Sequence, residues 1–193
     1  MTGKRGHMRL NEKDYTRVTA ILSRYSDFSA IDPDTLARAA DRGTRVHNYC
    51  EMYANNIFIP SVDDDCKNYF EAYQRWFDSH VEHVLLVEKR IYNDDYRITG
   101  QIDLIAKIKG DDDYSIIDIK TPATSSKTWA LQTAAYKMMA KEHLKDKSDI
   151  WIDRRACLML PKTGKDAFFL EYDDIEDEDL FLHALKLYRF FNK

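Results

Sequence analysis

Three charged residues stand where charge is expensive. In GQIDLIAKIKGDDDYSIIDIKT, Gly100 to Thr121, Asp103 falls in one apolar, strand-like run and Asp118 and Lys120 in the next. Being two apart on a strand, Asp118 and Lys120 leave one face while Ile117 and Ile119 point the other way, into a core. Asp103 comes fifteen positions before Asp118, a separation that suits a hairpin through the turn KGDDDY and would set the two carboxylates side by side. Like charges about 4 Å apart repel by roughly 4 kcal/mol at an effective dielectric near 20, so the pair calls for a cation or a shared proton. A divalent metal meets that demand. Mg²⁺ takes one or two carboxylates at about 2.0–2.1 Å and completes its shell with waters and phosphate oxygens, a ligation suited to phosphodiester hydrolysis. Lys120 then belongs beside the attacking water or the scissile phosphate, orienting one or offsetting the charge that develops on the other. A D-x-K pair is also compatible with an ordinary exposed ion pair, so its surroundings matter.

Those surroundings read as an α/β sandwich around a mixed sheet. DPDTLARAADRGTRVHNYCEMYAN predicts a helix opened by Asp32-Pro33, with Gly43 as an anomaly inside it, and DDDCKNYFEAYQRWFDSHV a second. HVLLVEKRIYN, YRITGQIDLIAKIKG and YSIIDIKT predict a meander of three strands. SKTWALQTAAYKMMAKEHL, with Ser126 as cap, predicts a crossover helix; DIWIDRRACLMLPK and DAFFLEYD return to strand, and DIEDEDLFLHALKLYRFF closes with an amphipathic helix. The runs Asp63–Asp65 and Asp111–Asp113 are too short for disordered tails and read as solvated loops.

Bulk properties narrow the function. With 193 residues and 44% hydrophobic content, the chain is expected to form one domain, residues 1–193. A net charge of -4 gives no global attraction to polyanions, so nucleic acid would need a local basic surface. Cys50, Cys66 and Cys157 lie far apart with no CxxC, which argues against disulfides, a zinc finger or an iron–sulfur cluster and favours a reducing cytoplasm. No apolar run suits a membrane span, and the start MTGKRGHMRL lacks a signal core. Residues 1–7, ahead of Met8, read as a leader left by cloning or as a disordered end.

GQIDLI followed by IIDIKT resembles the G-x-x-D and D-x-K halves of the PD-(D/E)XK nuclease superfamily, in its RecB-like, phage-type exonuclease branch. RGTRVH, Arg42 to His47, resembles that branch's upstream helical motif, and QTAAY, Gln132 to Tyr136, its Q-x-x-x-Y helix. The opening TRVTAILSRYSDF is also similar to phage exonucleases. The resemblance implies a restriction-endonuclease-like core and a nuclease using Mg²⁺, with Mn²⁺ as substitute and no iron–sulfur cluster. It implies His47, Asp103, Asp118 and the Ile119 carbonyl as metal ligands, Lys120 as catalytic lysine and Glu88 as an assisting carboxylate, with Glu71 and Glu82 as rivals. DNA, single-stranded or as duplex ends, is the implied substrate, with a recombination or replication partner protein and no membrane, in a bacterial or phage-infected cytoplasm. A structure-selective endonuclease and a non-catalytic DNA-binding module are the alternatives.

Gln132 and Tyr136, one turn apart, would orient the lysine or touch DNA, although Tyr136 serves equally as packing. Thr121 either offers its hydroxyl to a phosphate or caps the turn that follows. Arg42, Arg45, Lys127, Arg154 and Arg155 flank these elements and could grip phosphates, and Trp129 either stacks on an unpaired base or is core. Gly43, four before His47, would let the helix approach the sheet so that the imidazole reaches a metal.

Overall fold

A computed structural model describes residues 11–192 apart from residues 28, 123 and 148; the expected leader lies outside the described residues. The elements are β1 (Thr16–Arg17), α1 (Val18–Leu22), α2 (Pro33–Ala54), α3 (Asp64–His80), β2 (Val81–Asn93), β3 (Ile98–Ile108), β4 (Tyr114–Lys120), α4 (Thr128–His143), β5 (Ile152–Met159), β6 (Phe168–Glu171) and α5 (Glu176–Phe191), with short 3-10 turns around β1 and α1. They form the expected α/β arrangement, a mixed sheet of six strands with helices on both faces. The strand β1 escapes sequence reading because two residues carry no periodicity.

The expected cap of α2 is present: Asp32 accepts the Thr35 N–H at 2.8 Å ahead of Pro33. At α4 the N-cap is Lys127 rather than the expected Ser126, which stands one residue earlier and accepts the Thr128 N–H at 3.3 Å. Gly43 departs from expectation. A Cβ built there would meet Thr121 Oγ1 at 3.6 Å, an ordinary contact, so no close approach of α2 to the sheet imposes the glycine. Gly43→Ala is therefore expected to raise stability by about 0.5–1 kcal/mol, measured by urea unfolding.

Strand β3 positions the site. Along one edge it pairs antiparallel with β2, from Val81↔Ile108 to Asn93↔Ile98. Its other edge is shared: β1 runs parallel at Ile98 and Thr99, and β4 antiparallel only from Leu104 to Lys107. Gly100 to Asp103 thus have no ladder partner on that edge. β4 then pairs parallel with β5 along its whole length, through the crossover helix α4.

One face of the sheet is covered by α1, α4 and α5, where Ile102, Ile105 and Ile116 meet Tyr136, Met139 and Phe181. The other is covered by α2 and α3, where Leu104, Ile117 and Ile119 meet Val46, Tyr73 and Trp76. Each such side chain, fully buried, contributes roughly 1.5–3 kcal/mol. Charged groups on β4 therefore sit in a wall that is apolar on both sides.

Candidate active site

β3 loses its alternation at Asp103. Ile102 and Leu104 are two apart, yet they pack into opposite faces, where a regular strand would send both to one. Across the sheet, Glu88 has a φ of +42°, and Val87↔Leu104 and Lys89↔Ile102 pair on either side of an unpaired Glu88 and Asp103. Left-handed backbone at a non-glycine residue costs on the order of 1–3 kcal/mol and persists where the surroundings hold it. The distortion turns both carboxylates toward α2, so that ligand atoms of His47, Glu88 and Asp103 lie within 4.8 Å of one another.

The three side chains are held by a closed set of contacts. His47 Nε2 lies 3.0 Å from the Ile119 carbonyl, and Nδ1 lies 3.2 Å from Glu88 Oε1 and 3.5 Å from Asp103 Oδ2. Burial disfavours the imidazolium, but Asp103 and Glu88 outweigh it and hold the His47 pKa well above its ordinary value. Asp103 Oδ2 accepts the Ile119 N–H at 2.7 Å, replacing the ladder bond that β3 and β4 no longer make. Burial would raise the Asp103 pKa, yet His47, Lys120 and that N–H bring it below the ordinary carboxylate range.

Asp118 faces a different partner. Its carboxylate pairs with the Lys120 ammonium and accepts the Gln132 Nε2–H at 3.1 Å. Burial and the charge of Asp103 push its pKa up, against Lys120 and His47. For Lys120, burial lowers the pKa, but Asp118 and Asp103 outweigh it and raise it above the ordinary lysine value. Lys120 also donates to Gln132 Oε1 at 3.3 Å and lies 5.3 Å from the centre of the Trp129 ring. Gln132 donates to Tyr136 OH at 3.1 Å. One amide thus ties together the aspartate, the lysine and the tyrosine.

The remaining predicted residues divide. Thr121 follows β4 opposite Gly43, and exposed Lys127 precedes α4. Arg42 lies over the Tyr69 ring at 5.5 Å. Arg45 is taken up elsewhere: its guanidinium reaches Asp41 at 2.9 Å, Asp63 at 2.7 Å and Asp65 at 2.8 Å. The run Asp63–Asp65, read both as a solvated loop and as the start of the second helix, leads into and opens α3 and binds this arginine. Asp65, held by Arg45, has its pKa lowered to about 2. A depressed carboxylate stabilises above its unfolded pKa and loses that contribution as pH falls through its folded one. Wild type is accordingly expected to lose more stability between pH 4 and pH 2 than Arg45→Met, as read from thermal melts.

Arg154 and Arg155 are also paired with carboxylates. Arg154 pairs with Asp111 at 2.7 Å, so the Asp111–Asp113 turn is anchored at one residue. Arg155, 5% exposed, binds Asp177 at 2.6 Å and the carbonyls of Ala130 and Asp174, tying β5 to α4 and α5. A cavity of about 560 Å³ beside Arg154 and Arg155 is lined by Lys137, Glu171 and Tyr172 and shares no residue with the His47–Lys120 constellation.

The sequence matches the family model of the PD-(D/E)XK nuclease superfamily over residues 20–186. The chain belongs to the PD-(D/E)XK nuclease superfamily. Its fold is correspondingly restriction-endonuclease-like. A solved structure from Eubacterium rectale, named "Putative exonuclease", shares 16% identity over 93% of this chain and 84% of its own, with a TM-score of 0.54. A second, SSO0001, shares 14% identity over 97% of this chain and 80% of its own, with a TM-score of 0.42. No curated protein matches the sequence. PD-(D/E)XK nucleases use divalent metals, and the donor set here fits one: two carboxylates with an imidazole, beside a backbone carbonyl, are ligands that hard or borderline divalent cations accept. Among the described residues no helix is long and apolar enough to cross a membrane.

Proposed function

We propose that this PD-(D/E)XK nuclease is a Mg²⁺- or Mn²⁺-dependent deoxyribonuclease of the RecB-like branch that degrades linear DNA from an end, with residues 1–193 working as one unit. The observation that carries the reading is the convergence of His47, Glu88 and Asp103 within 4.8 Å, next to the Asp118–Lys120 pair. Action from an end is supported by the likeness of RGTRVH and QTAAY to that branch and by the name of the Eubacterium rectale neighbour.

His47, Glu88, Asp103, Asp118 and the Ile119 carbonyl would hold the cation. When bound, it supplies Lewis acidity toward a phosphate oxygen and acidifies a water. Asp118 and Asp103 raise the Lys120 pKa against burial, and as an ammonium Lys120 offsets charge that develops on the phosphate. Gln132 fixes Lys120 and Asp118, with Tyr136 behind it. Trp129 covers the lysine, and Arg42, Thr121 and Lys127 line the DNA path. Arg45 is omitted because three carboxylates offset its charge. Recombination, replication or repair, with a partner protein in a bacterial or phage-infected cytoplasm, is the setting that fits such an activity.

A time course on end-labelled linear single-stranded, linear duplex and circular DNA, with Mg²⁺, Mn²⁺ or EDTA, tests this. Metal-dependent shortening of linear DNA alone, lost in Asp118→Ala, is the expected result. Cutting of circles would overturn action from an end, and binding without cleavage would overturn catalysis.

A further inference from the structure

A chain of two hydrogen bonds runs from Glu88 through Gln101 to Arg90. Gln101, on β3, donates from Nε2 to Glu88 Oε2 at 2.6 Å, and Arg90, its cross-strand neighbour on β2, donates from Nη2 to Gln101 Oε1 at 3.0 Å. Glu88 is two residues before Arg90 and Asp103 two after Gln101, so the four side chains belong to neighbouring positions of one strand pair. Glu88 therefore has its two oxygens assigned, Oε1 toward His47 and Oε2 toward Gln101.

The structure assigns Gln101 as the positioning residue of Glu88, and Arg90 as the group that sets the direction of the Gln101 amide. The inference rests on the proposed metal centre and deepens it. A carboxamide can present either end. Flipped, Gln101 would turn its oxygen to the Glu88 carboxylate and its N–H to the Arg90 guanidinium, two repulsive contacts in place of two hydrogen bonds. Arg90 has only donors and Glu88, ionised, only acceptors, so one orientation satisfies both. Glu88 needs such a hold because its own backbone, at φ +42°, is off the regular strand path and leaves its side-chain direction to whatever it touches. Partners behind metal ligands orient them, and removing one commonly weakens metal affinity about 10- to 100-fold.

The test is Mn²⁺ binding by calorimetry, without DNA, to wild type, Gln101→Met, Arg90→Met and the double variant, with thermal melts in EDTA alongside. Gln101 is exposed, so methionine, of similar length, keeps the fold. Gln101→Met is expected to weaken Mn²⁺ binding roughly 10-fold or more with an unchanged melting midpoint. Arg90→Met should show a smaller loss, and the double variant should bind no more weakly than Gln101→Met, because Arg90 acts through the amide. Wild-type affinity in Gln101→Met would overturn the inference while leaving the metal centre intact. Additive losses would overturn the role given to Arg90. No saturable Mn²⁺ binding by wild type would overturn the metal-centre reading and this inference with it.

Discussion

Lys120→Met is expected to lower metal-dependent DNA cleavage by about 10²- to 10⁴-fold, the range seen when a positioned proton-bearing or charge-stabilising group is removed. The loss of rate has to be separated from loss of fold, since Lys120 is also half of a buried pair. Its side chain is 16% exposed and that of Asp118 3%, and removing one partner of a buried pair costs up to about 3–5 kcal/mol. Two features limit the cost. Asp118 keeps the Gln132 N–H at 3.1 Å, and burial and Asp103 already push its pKa up, which lessens the cost of leaving it without Lys120. The double variant Asp118→Asn, Lys120→Met replaces both charges by neutral groups of similar shape. It is expected to melt near wild type and to stay inactive. Recovery of cleavage with stability in that variant would show that the pair serves the fold alone, and wild-type cleavage by Lys120→Met would remove the lysine from the chemistry.

What the sequence makes legible follows from which forces act locally. The hairpin of β3 and β4 is written in β-branched alternation and a turn, and Asp118 and Lys120 follow from period two once β4 is in place. His47 and Gln132 come with motifs that place them on helices, and both are on helices, α2 and α4. The convergence of Glu88 with His47 and Asp103 is different in kind. It depends on a left-handed backbone at Glu88 and on the ladder of β3 and β4 stopping at Leu104↔Ile117, and neither a glutamate nor a Gly-x-x-Asp run carries a local signal for either. The arginines fail for a related reason. Whether Arg45 and Arg155 face solvent or a carboxylate is decided by Asp65 and Asp177, twenty and twenty-two residues away, and side-chain type is silent about that. The Asp63–Asp65 run was the available hint, since three like charges at a helix start attract a cation from a packed neighbour. Gln101 and Arg90 are ordinary strand polar residues until the register Arg90↔Gln101 sets them opposite one another.

Gly100→Ala is expected to be the most destabilising single-methyl change in the site region, by about 1–3 kcal/mol, the usual cost of overpacking. Gly100 lies on β3 in the interval that neither β1 nor β4 covers, and the Tyr136 ring fills that interval. A Cβ at Gly100 would come 2.5 Å from Tyr136 Cε1 and 3.2 Å from Cδ1. Tyr136 is 3% exposed and packs among Ile102, Met139 and Phe181, so the ring has little room to retreat. Displacing it also moves its hydroxyl away from Gln132, the residue that holds both Asp118 and Lys120. Gly100→Ala should therefore lower cleavage as well as the melting temperature, whereas a methyl at Gly43, which meets only an ordinary contact, should not lower stability. Shrinking the ring is the decisive comparison: Tyr136→Leu costs stability in the wild-type background but should cost little or none in the Gly100→Ala background, since the added methyl occupies space the ring leaves. Unfolding curves of the four proteins give the coupling. Strict additivity would mean that the glycine serves something other than the approach of Tyr136 to β3, and the G-x-x-D glycine would then need another cause.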